Sequence, residues 1–346
     1  MPHLSLQRIL LPSVQVSALT TGKITLESAA PSRYKLLAGY IAGGVEPSTP
    51  GGSGITTVEK YLFSTEVRST LGTGLSVGMY DVGGAFTNLC VAGYVLPGYG
   101  GGYQTVINKF LRAVDTRSTL ASGTSHALYS SCAWESKTHG FAAGGQKNDG
   151  FRRVDVDKYS FADDSRSTLG TGIGEGIMNG RGFSSGTHGY MCGGYNNSGV
   201  TVTTVRKMAF SDETHSTLGT GLEDQRTNPV GTFSSFTHGY YVGGQGTEDV
   251  GSGPYRSSIE RFSFSDDSRT ILNFRQNGQQ LGNFSGGAFY NAVAGFIGGG
   301  RTTGVTGSGE AASSVMRKYP FATEHPQILH NSLSASKHGC HGGFQT

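Results

Sequence analysis

The sequence predicts an all-β chain folded as a seven-bladed β-propeller, with one blade built from strands at both chain ends. Three observations predict it. Short strands ending in glycine recur about every 50 residues, the first six are followed by a second strand-like element and most of those by a third, and the chain both starts and stops in mid-repeat. A period of that length means a unit that cannot bury both faces of its sheet alone, and radial stacking into a ring solves the problem while leaving only short edges.

Composition agrees with many short strands and tight turns. Glycine supplies 56 of 346 residues, against 15% charged residues and a net charge of +3, which excludes a coiled coil and a highly charged disordered chain. Lys and Arg form no run, so no nucleic-acid partner is expected. No apolar stretch approaches the ~20 residues of a membrane span, so no membrane insertion is expected. The run Ile9-Leu10-Leu11 is cut by Pro12, which argues against a classical signal peptide. Cys90, Cys132, Cys192 and Cys340 share neither a CxxC spacing nor one repeat position, and read as buried free thiols.

Within the unit, strand a is exemplified by "VGTFSSF" from Val230. Strand b is the glycine-terminated element: "AGYIAGG" from Ala38, "AGYVLPG" from Ala92, "HGFAAGG" from His139, "HGYMCGG" from His188, "HGYYVGG" from His238, "AGFIGGG" from Ala294 and "HGCHGG" from His338. Strand c places a basic residue before an apolar or aromatic one, as in Lys60-Tyr61, Lys109-Phe110, Lys158-Tyr159, Lys207-Met208, Arg261-Phe262 and Lys318-Tyr319. Such alternation suits a strand with one packed and one wetter face. Strand d is "RSTLGTGL" from Arg68, with relatives at Arg117, Arg166, His215 and Arg269.

At the N-terminus, "LQRILLPSVQVSALTTG" (Leu6 to Gly22) aligns without a gap on Val58 to Gly74. The expected organisation is therefore one propeller domain over 1–346. Its composite blade comes from 3–24 plus 330–346, and six other blades lie within 31–329. One spacing is anomalous. From the strand-d leucine to the next strand-b glycine is 20 to 23 residues everywhere except from Leu329 to Gly339, which is 10; this leaves the sixth blade without its outer strand or the following strand a very short.

The double glycine, the basic-aromatic strand and the period resemble kelch-repeat propellers over nearly the whole chain. The leucine of "STLGTG" stands where kelch repeats usually carry tryptophan. The Trp-Asp signature of WD40 repeats is missing, Trp134 being the only tryptophan. The Gly/Ser/Thr-rich units and the recurring "LGTGL" more specifically resemble kelch-like arrays in structural and tail proteins of tailed phages.

Candidate chemistry is sparse. A dinucleotide-binding fingerprint needs a third glycine where Glu175, Val77 and Asp224 stand, and no Gly-Lys-Ser/Thr occurs. His139, His188, His238 and His338 suggest a metal ring, but they read better as a–b turn residues tolerating positive φ, with Ala38, Ala92 and Ala294 replacing them elsewhere. Asp163-Asp164 and Asp266-Asp267 read as turn residues pairing loosely with Arg166 and Arg269 rather than glycosidase acids. No catalytic residue, cofactor or metal is expected.

The loops that break the repeat remain. Those from b to c and from d to a are expected on one face, where binding residues concentrate on a rigid scaffold. Tyr99, Tyr103, Arg152, Arg153, Tyr195, Asn196, Tyr255 and Arg301 offer stacking surfaces and hydrogen bonds there. The resemblance implies a non-enzymatic virion protein, made in the host cytoplasm, for the tail, attachment or decoration. Its expected partners are other virion proteins and a host-surface glycan. The competing classes are a kelch-type enzyme, either a copper oxidase or a glycan hydrolase, secreted or intracellular, and a cellular adaptor binding peptides.

Overall fold

The computed structural model describes residues 36–48, 53–89, 91–246, 256, 258–272, 275–276, 279–280, 283–303, 310–340 and 342–346. All regular elements among them are strands. They form six four-stranded antiparallel sheets. In the order a, b, c, d, the first blade is Gly342–Gln345, Ala38–Ala42, Val58–Leu62 and Arg68–Thr70. The second is Ala85–Asn88, Ala92–Val95, Asn108–Leu111 and Arg117–Thr119; the third is Cys132–Glu135, His139–Ala143, Val156–Ser160 and Arg166–Thr168. The fourth is Arg181–Ser184, His188–Cys192, Val205–Ala209 and His215–Thr217. The fifth is Gly231–Ser234, His238–Val242, Ile259–Ser263 and Arg269–Leu272, and the sixth is Gly287–Tyr290, Ala294–Gly298, Met316–Pro320 and Gln327–Ile328.

The recurring strand-b glycine exists to admit an aromatic ring from the preceding blade. A Cβ built on Gly93 would lie 1.8 Å from Phe344; at Gly140 it would lie 2.1 Å from Phe86, at Gly189 2.1 Å from Trp134, and at Gly239 2.1 Å from Phe183. Gly295 meets Phe233 at 2.4 Å and Gly39 meets Phe289 at 1.9 Å. Each ring also faces the strand-b aromatic of its own blade, as in Phe344 on Tyr40 at 4.6 Å and Phe233 on Tyr240 at 5.0 Å. Five of the six also reach the strand-c aromatic of the next blade, as in Phe86 with Tyr159 at 5.6 Å and Phe289 with Tyr61 at 6.1 Å, while Trp134 packs with Met208 there. The core therefore lies between blades, in aromatic layers where offset and tilted pairs add to apolar burial.

Those contacts run from the first blade to the sixth and back to the first, so the ring closes with six blades. This corrects the expected count of seven. The closing strand is Gly342–Gln345, which pairs with Ala38–Ala42 so that Phe344 lies opposite Tyr40. The C-terminal strand is thus the innermost strand of the blade that continues at Ala38. The proposed repeat at Leu6 to Gly22 lies outside the described residues.

The spacing anomaly disappears with this reassignment. Leu329 precedes Gly342 by 13 residues, as Leu71 precedes Gly84 and Leu218 precedes Gly231, and each of those glycines stands two before the strand-a aromatic. "HGCHGG" is therefore no strand b. The sixth blade keeps a short outer strand, Gln327–Ile328.

A second closed circuit runs through strand c. Its basic residue points away from its aromatic neighbour, because successive side chains alternate in a strand, and meets an acid in the c–d turn of the next blade. The pairs are Lys60–Asp115, Lys109–Asp164 and Lys318–Glu66 at 2.6 Å, Lys207–Asp267 at 2.7 Å, Lys158–Glu213 and Arg261–Glu324. All six acids hold positive φ, between 53° and 60°. Asp164 and Asp267 thus answer lysines of the preceding blade, not Arg166 and Arg269, while Asp163 accepts from the Ser165 hydroxyl at 2.8 Å.

Other repeat features acquire local reasons. After strand b the chain turns through paired glycines in the left-handed region, with Gly43 at φ 71° and Gly44 at 109°, where a side chain would be strained. His139, His188 and His238 open strand b and hydrogen-bond the preceding threonine hydroxyl at 2.8 Å. Neither they nor the glycines that follow them have positive φ, which corrects the reason expected for them. In "LGTG" only the second glycine is crowded: a Cβ on Gly172 would lie 2.5 Å from the Val154 carbonyl, whereas Gly170 has nothing within 4 Å. Cys132, Cys192 and Cys340 are buried free thiols; Cys90 lies outside the described residues.

Candidate binding site on the loop face

The loops from b to c and from d to a do share one face, because they pair with each other. Tyr80 and Tyr99 exchange backbone hydrogen bonds at 3.0 and 2.8 Å. Leu128–Tyr129 pairs with Gln146–Lys147, Ile177–Met178 with Tyr195–Asn196, Arg226–Thr227 with Gln245–Gly246, Asn283–Phe284 with Arg301–Thr302, and His338 with Val45. Each blade thus carries a small ladder above its main sheet, and His338 belongs to this ladder rather than to the a–b turn histidines.

One residue further on, Asp81, Ser130, Asn179, Asn228, Ser285 and Gly339 all adopt positive φ, from 46° to 66°. Their backbones link round the axis. Ser130 N–H donates to Asp81 C=O at 3.1 Å, Asn179 to Ser130 at 3.0 Å, Asn228 to Asn179 at 3.0 Å, Ser285 to Asn228 at 3.1 Å and Gly339 to Ser285 at 2.7 Å. Asn, Asp, Ser and Gly suit this ring because short polar side chains and glycine tolerate left-handed backbone. Burial pushes the Asp81 carboxyl up to about 6, against the pull of Arg181 and Arg301.

Beside the axis, over the second and third blades, four half-buried tyrosines pack together. Tyr99 lies 5.4 Å from Tyr80, 5.8 Å from Tyr103 and 6.0 Å from Tyr129, and Tyr103 lies 5.3 Å from Tyr129. The Tyr129 hydroxyl donates to Gln146 Oε1 at 3.0 Å, and burial beside Tyr103 and Asp81 pushes its pKa up to about 12. Gln146 pairs through its backbone with Arg152. The Arg152 guanidinium lies 4.9 Å over the Tyr195 ring of the fourth blade. Asn197 clamps Arg152 in place: its Oδ1 accepts from the Arg152 N–H at 2.7 Å, and its Nδ2 donates to the carbonyl at 3.0 Å. The result is a strip running Tyr80, Tyr99, Tyr103, Tyr129, Arg152, Tyr195.

The structure therefore joins four of the sequence-selected residues, Tyr99, Tyr103, Arg152 and Tyr195, and adds Tyr80 and Tyr129. Arg153 turns elsewhere, giving Nε and Nη2 to Asp155 at 2.9 and 2.7 Å, with His126 3.0 Å from Nη2. Asn196 is buried and structural, donating to Glu175 at 2.6 Å and accepting the Ser198 and Val200 N–H groups. Arg301 sits near the axis, its Nη2 3.0 Å from His338 Nε2. Tyr255 lies outside the described residues. Tyr80 and Tyr129 had a readable signal, since each stands just before the left-handed residue that precedes strand a.

The axial channel below is narrow, with about 50 Å³ of free space, room for little more than water. At its far end Thr87, Glu135, Ser184, Ser234, Tyr290 and Gln345 each follow the strand-a aromatic of their blade. The Tyr290 hydroxyl donates across the axis to Glu135 Oε1 at 3.3 Å. Among the described residues no group of three His, Cys, Asp or Glu side chains is placed to hold a metal ion. Compared with known proteins, the chain matches no family model and no curated protein.

Proposed function

We propose that this chain is a non-enzymatic, kelch-like binding module of a phage-type particle, whose loop face engages a host-surface glycan or a neighbouring virion protein. The observation that carries the binding role is the strip of five tyrosines and Arg152 on a ring held by two closed circuits of contacts. Aromatic faces with hydroxyl tips suit a ligand that is apolar on one side and wet on the other, and a rigid scaffold limits the ordering cost of binding. Most acids of the repeat already serve the fold, in the ring of ion pairs and the turn hydrogen bonds. The kelch-like assignment is supported by the paired glycines and basic-aromatic strand, and the virion setting by the recurring "LGTGL" units.

The test is binding of the purified protein to a glycan array and to separately purified virion proteins, before and after Tyr99→Ala with Tyr129→Ala. The expected result is a bound class that the double variant loses while its thermal melt stays cooperative. Turnover of a substrate by the wild-type protein, lost with a single acid or histidine substitution, would contradict the proposal.

A further inference from the structure

Arg152 differs from Arg153, Lys147 and Arg206. Arg153 is held by Asp155, Lys147 by Asp149 at 2.8 Å, and Arg206 by Glu175 at 2.8 Å. No carboxylate among the described residues lies within ion-pair distance of the Arg152 guanidinium, and its Nε is buried without a hydrogen-bond partner among them. Its position is nonetheless restrained, since Asn197 clamps its backbone and its guanidinium lies 4.9 Å over the Tyr195 ring. An arginine held over a ring with no carboxylate partner leaves its fork of N–H donors for a planar, bidentate acceptor.

From this arrangement we infer that the tyrosine strip takes an acidic saccharide, one whose pyranose ring carries a carboxylate. The inference rests on the binding role proposed above and names its ligand class. Tyr99, Tyr103 and Tyr129 offer edges and partial faces to the C–H surface of the sugar ring. Arg152 receives the carboxylate, and the side-chain amides of Gln104 and Gln146 stand on the same loops to exchange hydrogen bonds with hydroxyls. A polyol suits this set better than an acidic peptide because amide and phenol groups flank a single cation, whereas an acidic peptide is matched by a cluster of cations. Arg152 lies between the four-tyrosine cluster and Tyr195, so the carboxylate marks one end of a saccharide lying on that cluster.

The test uses the full-length protein with oligogalacturonate and its methyl-esterified, neutral counterpart, alongside an array of neutral, carboxylated and sulfated glycans and a short poly-glutamate peptide. Carboxylated members are expected to bind more tightly than their esters, with the preference weakening as NaCl rises. Arg152→Gln should weaken binding of the carboxylated probe roughly tenfold, the loss of one charge-assisted contact, and erase the preference without lowering the melting temperature. Arg152→Lys should retain part of the preference, and Tyr103→Ala should weaken charged and neutral probes alike. Neutral and carboxylated glycans binding equally, with Tyr103→Ala still abolishing both, would overturn the carboxylate assignment and leave the glycan-binding role standing. Preference for the sulfated members or for poly-glutamate would also overturn it. No binding of any saccharide would overturn both.

Discussion

The Phe344 ring occupies the space a side chain at Gly93 would need, its Cδ2 only 1.8 Å from where a Cβ would stand. With the Phe110–Phe344 ring pair and the Thr87 hydroxyl donating to the Gln345 carbonyl at 2.6 Å, this contact joins the C-terminal strand to the second blade. Gly93→Ala should cost roughly 1–3 kcal/mol or more, as overpacking does, and Phe344→Ala about 3–5 kcal/mol as a buried aromatic is lost. Combining Gly93→Ala with Phe344→Leu should cost less than the two singles added, because the smaller side chain makes room for the methyl. Urea denaturation of the four proteins measures this coupling, and strict additivity would show that the two residues do not meet.

The ring of ion pairs should contribute to alignment more than to stability. Asp115 accepts from Lys60 at 2.6 Å and from the Tyr40 hydroxyl at 2.9 Å while holding φ at 53°. Asp115→Asn keeps a residue tolerant of that backbone and should cost about 1 kcal/mol or less, shrinking further in 1 M NaCl. Asp115→Val should cost clearly more, since a β-branched residue is strained at positive φ. Equal losses for the two variants, read by urea denaturation, would mean that charge rather than backbone geometry sets the value of this position.

The strand order within a blade was legible because glycine ends, basic-aromatic pairs and turn acids recur at fixed spacing. The expected seventh blade takes "HGCHGG" as a strand b, and the structure corrects that reading. There His338-Gly339 imitates the His-Gly of strand b, whereas Gly339 occupies the left-handed axial position of Asp81 and Asn179. Glycine permits both uses and so erases the cue that Asp, Ser or Asn gives in the other blades. The reason for the strand-b glycine was hidden as well, since its aromatic neighbour comes from another blade: Phe86 precedes Gly140 by 54 residues. The site was half legible. Tyr99, Tyr103, Arg152 and Tyr195 stand out in the non-repeating loops, but Tyr80 and Tyr129 lie on the d–a connections, and only the pairing of the two loop sets brings them alongside.

Glu135 predicts a pH dependence. Burial in the axial channel pushes its carboxyl up to about 7, although Tyr290 donates a hydrogen bond to it. A raised folded-state value means that the neutral acid is favoured on folding. That stabilisation is fully present below the unfolded value of about 4.3 and is lost as pH rises through about 7. Glu135→Gln cannot ionise, so its stability relative to wild type should climb between pH 4 and pH 7 and level off above. Melting temperatures of the two proteins across that range check the sign. A constant difference would mean that Glu135 titrates normally.

Gly342–Gln345, as the inner strand of the first blade, closes the six-bladed ring. Native-state hydrogen exchange followed by mass spectrometry on the intact chain reads this strand without mutation. The amides of 342–346 should exchange only through global unfolding, with the same opening free energy as the strand-b peptide Ala92–Val95. Rapid exchange of 342–346 while Ala92–Val95 stays protected would contradict the closure and the blade count with it.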